Sequence, residues 1–297
     1  MTGFELADGT SLQVIRRGDP AAAVTVVFVH GYALDQRSWG RIAPLVPDAS
    51  DGPVQVLTYD QRGHGGSGRA RRETSSMARL GDDLAELLMR AVPDGRVVLV
   101  GHDMGGLAIM ALSQRHPELF AERAAGLVLL ATSSGRLGTE VAAAWPSALG
   151  RLAHDLESVL GSKLFGVLRE RTSRAVSAGL RWWLFGEDPD LEGVELTVQM
   201  IRGNWPHTVS LFRPALDAFA REAALSRVAG LPVTAIVGDR DRIVRASDVE
   251  ELVGGLDNGS AVVLPGIGHV VPLEAASQVL PRIVALVNQA NRQGERS

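Results

Sequence analysis

Short apolar runs recur along the chain with helical patterns between them, and this rhythm predicts the architecture. The runs are rich in β-branched residues and lack strict polar alternation, which is typical of parallel strands covered by helices on both faces. Two earlier segments, 4–6 and 12–17, predict an antiparallel hairpin at one edge of the sheet. The apolar runs are residues 24–29, 54–59, 97–100, 126–130, 233–237 and 261–264. The sequence therefore predicts an α/β fold with a mainly parallel, eight-stranded sheet flanked by helices.

The segments between these runs carry apolar side chains three and four residues apart, as amphipathic helices do. The clearest of them is ended by Pro93-Asp94-Gly95. Its apolar positions are Met77, Leu80, Leu84, Leu87 and Leu88. Similar patterns predict helices at 105–115, 246–253 and 273–288.

The interval from about residue 136 to residue 221 interrupts the rhythm, because it has helical stripes but no strand pattern. We interpret it as a helical lid (cap), 136–221, inserted into a core domain of residues 1–135 and 222–297. Aromatic apolar side chains are concentrated in the lid, and we predict that they line an apolar substrate pocket, although packing of the lid on the core would also explain them. They are Trp145, Trp182, Trp183 and Trp205.

Composition narrows the function classes. A net charge of -4 and a pI near 6.0 provide no basic field for nucleic acid. The absence of cysteine excludes disulfides and thiolate metal sites and suits a reducing cytoplasm. The N-terminus lacks the pattern of a signal peptide, and no apolar run reaches the ~18 residues of a membrane span. We therefore expect a cytoplasmic protein that needs no cofactor and binds an apolar small molecule rather than nucleic acid or a membrane, in an oligomeric state that the sequence does not specify.

The chemistry is expected where strand 97–100 enters Gly101-His102-Asp103-Met104-Gly105-Gly106 and then a helix. This strand, sharp turn and helix is the context of a nucleophile elbow, with Asp103 at its centre. Glycine is needed at 101 and 105 because strand and helix backbones approach closely there. Gly-rich turns of this kind also bind phosphates, so the motif is weak evidence alone.

Three further loops follow strands in the order that this context requires. His30-Gly31-Tyr32 follows strand 24–29, and a backbone N–H there can join that of Met104 in an oxyanion hole. Gly238-Asp239-Arg240-Asp241 follows strand 233–237, and Gly266-Ile267-Gly268-His269 follows strand 261–264. A nucleophile, an acid and a histidine thus each lie beyond the carboxyl end of a strand.

Over nearly its whole length the chain resembles the α/β-hydrolase superfamily. The resemblance implies Asp103 as nucleophile, His269 as base and Asp241 as the carboxylate that orients it, with Asp239 as the alternative. It also implies Tyr32 and Met104 as the backbone N–H donors. The other histidines are interpreted structurally: His64 organises its loop with Asp60 and Arg62, His30 and His102 support turns, and His116 ends a helix. Tyr59 is expected in the core.

An aspartate nucleophile suits attack at an sp³ carbon bearing a halide or an epoxide oxygen, because attack on an ester would give a mixed anhydride. The elbow therefore resembles that of epoxide hydrolases and haloalkane dehalogenases. Three features depart from those families. Epoxide hydrolases protonate the opening oxygen with lid tyrosines, whereas the only tyrosines here are Tyr32 and Tyr59. Dehalogenases place a tryptophan after the aspartate, where this chain has Met104, and Ala33 stands where epoxide hydrolases tend to have proline.

Three hypotheses remain open, because the Arg62-Gly63-His64-Gly65 region resembles serine esterases and lactonases. The first is a hydrolase that uses Asp103 covalently, with His207 or an indole N–H of Trp182, Trp183 or Trp205 as the missing donor. The second is a non-hydrolytic cyclase or lyase of secondary metabolism, in which Asp103 and His269 transfer protons. The third is an esterase-like scaffold or binding protein whose serine has been replaced, including by an introduced substitution. The retained His269 and Asp241 argue against the third.

Overall fold

The computed structural model describes residues 2–92, 94–133, 173–204, 207–219 and 230–294. Its strands are β1 (Thr2–Glu5), β2 (Ser11–Gly18), β3 (Val24–Val29), β4 (Gln55–Tyr59), β5 (Arg96–His102), β6 (Ala124–Leu130), β7 (Val233–Gly238) and β8 (Gly259–Leu264). They form one sheet in the order β1-β2-β4-β3-β5-β6-β7-β8. The pairs β1–β2 and β2–β4 are antiparallel and the others are parallel. The eight-stranded, mainly parallel sheet with a hairpin at one edge is confirmed.

Helices cover both faces of the sheet and connect its strands. They are α1 (Val46–Ala49), α2 (Met77–Ala91), α3 (Met104–Arg115), α4 (Pro117–Arg123), α5 (Ser173–Leu184), α6 (Leu191–Asn204), α7 (His207–Ala218), α8 (Ala246–Gly254), α9 (Val271–Glu274) and α10 (Ala276–Gly294). Short 3-10 turns occupy Gln36–Trp39, Ala43–Leu45 and Arg72–Thr74. None of these helices is both long enough and apolar enough to span a bilayer.

The core lies on both sides of the central strands because successive side chains of a strand point to opposite faces. On one side, Val27 and Leu99 share a buried cluster with the predicted apolar positions of α2. On the other side, Val98 joins a second cluster with apolar residues of α10. Both clusters hold the sheet rigid, so the loops at the carboxyl ends of its strands have a fixed base.

Two expectations from the sequence are wrong in detail. The helix predicted at 273–288 is two helices, α9 and α10, because Ala275 has φ -130° and ψ 31°, outside the helical range. Strand β8 is not covered on both faces, and Val263 is 39% exposed, because β8 is the last strand in the order of the sheet. The strand nevertheless carries the loop of His269.

Helices α5, α6 and α7 lie between β6 and β7 in the chain, and we call them the inserted helices. They contact loops at the carboxyl edge of the sheet: the carbonyl of Leu184 accepts a bond from the His269 N–H at 2.8 Å. At the end of α6, the side chain of Asn204 accepts one from the Gly65 N–H, also at 2.8 Å. Residues 136–172, 205–206 and 220–221 of the predicted lid, which include Trp145 and Trp205, lie outside the described residues, so its boundaries remain a prediction.

Candidate active site

Asp103 occupies the turn between β5 and α3. Its backbone has φ 47° and ψ -113°, a combination that a non-glycine residue adopts only when its surroundings enforce it. The Asp103 N–H donates to the carbonyl of Leu130 at 2.9 Å, and its own carbonyl accepts from Gly106 at 3.0 Å. The side chain is 9% exposed. The sheet therefore holds one carboxylate in a strained, nearly buried turn above its carboxyl edge.

The glycines around Asp103 permit the close approach predicted from the sequence. A Cβ at Gly105 would lie 2.0 Å from the carbonyl oxygen of Val29, and one at Gly101 would lie 2.7 Å from the Cα of Gly106. Either methyl group would force α3 away from the sheet. The sharp turn thus depends on these two positions having no side chain.

The loop after β3 places a donor on the Asp103 carboxylate. The N–H of Tyr32 donates to Asp103 Oδ2 at 3.0 Å. Met104 begins α3, where the first N–H groups have no acceptor within the helix and the helix dipole favours negative charge. One oxygen of the carboxylate, Oδ2, is therefore bound by the loop after β3.

Ala33 follows Tyr32 with φ 58°, in the left-handed region. Proline cannot adopt this conformation because its ring fixes φ at about -65°. The loop in its present conformation therefore cannot hold a proline at position 33. The departure noted in the sequence has a structural consequence next to the donor on Asp103.

His269 and Asp241 form the expected pair. His269 Nδ1 donates to Asp241 Oδ2 at 2.8 Å, and both side chains are buried. Asp241 Oδ1 accepts from the N–H groups of Ile243 at 2.7 Å and Val244 at 3.0 Å, so the carboxylate is fixed. Asp239, the alternative, instead accepts from the Gly266 N–H at 2.7 Å.

The environment of His269 favours its charged form. Burial alone would lower the pKa of His269, but the charge and hydrogen bond of Asp241, together with the charges of Asp103 and Glu274, raise it from 6.5 to about 9. The imidazole is therefore protonated near neutral pH. It is a cation held beside the carboxylate of Asp103.

We expect Asp241→Asn to lower the pKa of His269, because it removes the largest favourable charge, and an NMR titration of the histidine ring would measure the change. The pKa of His269 is raised in the folded protein, so its protonation stabilises the fold below about pH 6.5, and this contribution is lost as the pH rises through about 9. The free energy of unfolding should therefore fall less over this range in the variant than in the wild type. Equal slopes would contradict the assignment of Asp241.

His102 connects the elbow to the loop of His269. Burial lowers the pKa of His102 to about 4, so the ring is neutral, and its Nε2–H donates to the carbonyl of His269 at 2.9 Å. Its Nδ1 faces Gly31, where a Cβ would approach to 2.5 Å. The structure thus shows which backbone His102 supports, because its ring holds the main chain of His269.

His30 and His64 also have structural partners. His30 Nε2 accepts from the Gln61 N–H at 2.9 Å, and His30 Nδ1 donates to the carbonyl of Gly31 at 2.8 Å. Burial lowers the pKa of His64 to about 3, and its Nδ1 donates to the carbonyl of Arg62 at 3.0 Å. Both rings are neutral and organise the loops after β3 and β4.

The predicted pocket residues are only partly described. Trp182 is 62% exposed, and the guanidinium of Arg242 lies 4.8 Å above its ring, so the described residues leave it too open to line an enclosed pocket. Trp183 is half-buried, with its ring centroid 5.9 Å from that of Trp182. Trp145 and Trp205 lie outside the described residues. His207 begins α7, but its side chain is outside the described part of the structure.

Sequence reasoning missed two residues that hold the active-site loops. Glu274 is half-buried, and its Oε2 accepts from the N–H groups of Gly186 at 2.7 Å and Gly268 at 3.1 Å. Asn204 binds the loops after β3 and β4. Neither belongs to a local motif, because each acts on segments far away in the chain. Among the residues that the structure describes, no cluster of histidine and carboxylate side chains is placed to hold a metal ion.

Comparison with known proteins agrees with this architecture. A family model described as the alpha/beta hydrolase fold matches residues 24–276. The chain belongs to this α/β-hydrolase family.

Relatives within the family have different activities. Epoxide hydrolase A of Mycobacterium tuberculosis is 37% identical over 124 residues, which cover 41% of this chain and 36% of that protein. The lipase LipV of the same organism is 27% identical over 280 residues, 89% of this chain and 94% of that protein. A fluoroacetate dehalogenase from Burkholderia is 31% identical over 125 residues, 39% of this chain and 38% of that protein. Among solved structures, a thermophilic esterase from Thermogutta terrifontis aligns with a TM-score of 0.76 and 22% identity over 98% of this chain and 100% of that one, a likeness of fold alone.

Proposed function

We propose that this enzyme hydrolyses an epoxide, or displaces another leaving group at an sp³ carbon, of an apolar small molecule through an ester on Asp103. The observation that carries the proposal is the bond from the Tyr32 N–H to Asp103 Oδ2. A carboxylate whose second oxygen is held by a backbone donor has Oδ1 free to attack. The similarity to an epoxide hydrolase and a fluoroacetate dehalogenase supports the same chemistry.

In the first step, Asp103 Oδ1 forms a bond to the substrate carbon while the bond from that carbon to the leaving group breaks. The product of this step is an ordinary carboxylic ester. In the second step, His269 removes a proton from water, and the water oxygen attacks the carboxyl carbon of Asp103. The N–H groups of Tyr32 and Met104 stabilise the developing negative charge on Oδ2. The ester bond then breaks on the carboxyl side, and the proton held by His269 passes to the departing oxygen. The product therefore leaves as an alcohol with an oxygen that belonged to Asp103, while Asp103 keeps the oxygen from water.

The raised pKa of His269 fits this order of events. The charge of Asp103 contributes to that raised pKa. Formation of the ester removes the charge, so the pKa of His269 falls and the ring loses its proton more easily. The base is thus activated by the first step, when water must be deprotonated.

The donor to the leaving oxygen is not a tyrosine of the usual kind. Tyr59 is buried in β4 at 1% exposure, and Tyr32 lies in the loop that binds Asp103. An indole N–H of the inserted helices, of which Trp183 is the half-buried candidate, or His207 fills this role in our proposal. A halide needs no proton, so comparing epoxide and haloalkane panels separates the two substrate classes.

Oxygen-18 labelling tests the proposal. After a single turnover in labelled water, we expect the label in Asp103 and an unlabelled first product, because the product takes its oxygen from the carboxylate. Mass spectrometry of the peptide that contains Asp103, and of the product, would measure this. Later turnovers provide the control, since their products must carry label. Label in the first product would show that Asp103 activates water instead of attacking.

A second candidate is proton transfer without hydrolysis, as in a cyclase or lyase. The observation that favours it is the protonated His269 beside a carboxylate, because the two groups form an acid and base pair. The proton-transfer hypothesis predicts that no oxygen from water enters any product over many turnovers. Incorporation of label into the products would exclude it.

A further inference from the structure

Asn204, the last residue of α6, is buried at 6% exposure and binds two loops of the core. Its Nδ2 donates to the carbonyls of Ala33 at 3.0 Å and Leu34 at 3.1 Å. Its Oδ1 accepts from the Gly65 N–H at 2.8 Å. One side chain of the inserted helices therefore joins the loop after β3 to the loop after β4.

The loop after β3 contains a backbone conformation that needs external contacts to stabilise it. Ala33 adopts φ 58°, and an alanine holds this left-handed conformation only when its surroundings enforce it. The carbonyl of Ala33 is one of the groups that Asn204 binds. Tyr32, whose N–H contacts Asp103, is the residue directly before it. The placement of that N–H thus depends on a residue of the inserted helices.

The N-terminal end of α6 contacts the core through different residues. Just before α6, Asp190 accepts from Arg41 Nη1 at 2.6 Å, and the same nitrogen donates to the carbonyl of Leu273 at 2.9 Å. None of these three residues belongs to the loop of Tyr32. The two ends of α6 therefore provide a matched pair of contacts, of which only that of Asn204 reaches the loop of Tyr32.

We infer that Asn204 is a positioning residue that sets the Tyr32 N–H against Asp103 and so couples the docking of α6 to catalysis. The catalytic meaning of this donor rests on the proposed function. Displacement of the donor slows hydrolysis of the ester, because the N–H stabilises the charge on Oδ2 in that step. Substrate binding is affected less.

The test compares Asn204→Asp with Arg41→Met in the full-length chain. Asn204→Asp keeps the side-chain volume and an acceptor for Gly65, but it loses the donors to Ala33 and Leu34. We expect faster hydrogen exchange in residues 31–36 by mass spectrometry and ester hydrolysis slowed about tenfold or more, with the rate of ester formation in a single turnover changed by less than about threefold. Arg41→Met is expected to leave both quantities near wild type.

Equal slowing in both variants, or normal ester hydrolysis in Asn204→Asp, would overturn the inference. If Asn204→Asp does not fold, as judged by circular dichroism, Asn204→Ala takes its place because it adds no charge beside the carbonyls. A wild-type protein that forms no ester on Asp103 would refute the proposed function separately. In that case only the hydrogen exchange of residues 31–36 tests the positioning role of Asn204. Equal exchange rates in the Asn204 and Arg41 variants would overturn that role.

Discussion

Asp103→Asn is expected to abolish turnover, with a loss of about 10⁴-fold or more, because an amide oxygen is a far weaker nucleophile than a carboxylate. The amide is close in size to the carboxylate and can still accept the bond from the Tyr32 N–H, so the fold should be preserved. Steady-state rates on an epoxide and haloalkane panel would measure the loss. Circular dichroism and the midpoint of thermal unfolding serve as controls for folding.

Asp103→Ser is the companion variant, because serine is the usual residue at this position in the superfamily. A hydroxyl cannot replace a carboxylate in attack at an sp³ carbon, so activity on epoxides and haloalkanes should not survive. Unchanged activity in the serine variant would refute covalent catalysis by Asp103. Retained activity in the asparagine variant would refute any essential role of its charge.

Replacement of His269 by glutamine should stop the reaction after the first step, because no base remains to deprotonate water. With a haloalkane we expect one equivalent of halide to be released and the alkyl ester on Asp103 to persist. With an epoxide nothing is released, and the hydroxyalkyl ester on Asp103 should persist. Turnover should fall by about 10⁴-fold, as for other bases that act together with a nucleophile. Mass spectrometry of the peptide that contains Asp103 would reveal the added alkyl group.

His116→Gln is the matched control, because His116 lies at the far end of α3 and pairs with Asp82. This variant should turn over normally and accumulate no ester. If His269→Gln turns over normally, His269 is not the base. If it is inactive but no mass is added to Asp103, the covalent step fails and proton transfer by the pair of Asp103 and His269 is favoured.

The fold was predictable because its signals are local. Each buried strand is a short run rich in β-branched residues. The glycines around Asp103 indicate, from the sequence alone, a close approach of the strand and helix backbones. The pairing of His269 with Asp241 follows from their places after neighbouring parallel strands, since β7 and β8 end at the same edge of the sheet. Strand ends and motif order therefore locate most of the candidate site.

The remaining features depend on contacts between distant segments. Asn204 resembles any polar residue at the end of a helix until the fold brings it against Ala33 and Gly65. The left-handed backbone of Ala33 has no sequence signal, because alanine rarely adopts it. The break at Ala275 was hidden by an apolar pattern that continues across it. Such features arise from tertiary packing, which overrides local preference.

The main chain around His269 has a consequence for engineering this enzyme. The carbonyl of Leu184 accepts bonds from the N–H groups of both His269 and Val270, and the Glu187 N–H donates to the carbonyl of Gly266. The loop of His269, our proposed base, is thus held by backbone groups from the end of α5 and the stretch of chain that joins α5 to α6. A chimera that takes its substrate preference from a relative by exchanging the inserted helices must therefore keep residues 184–187 native, or it will inherit a new pocket with a misplaced base.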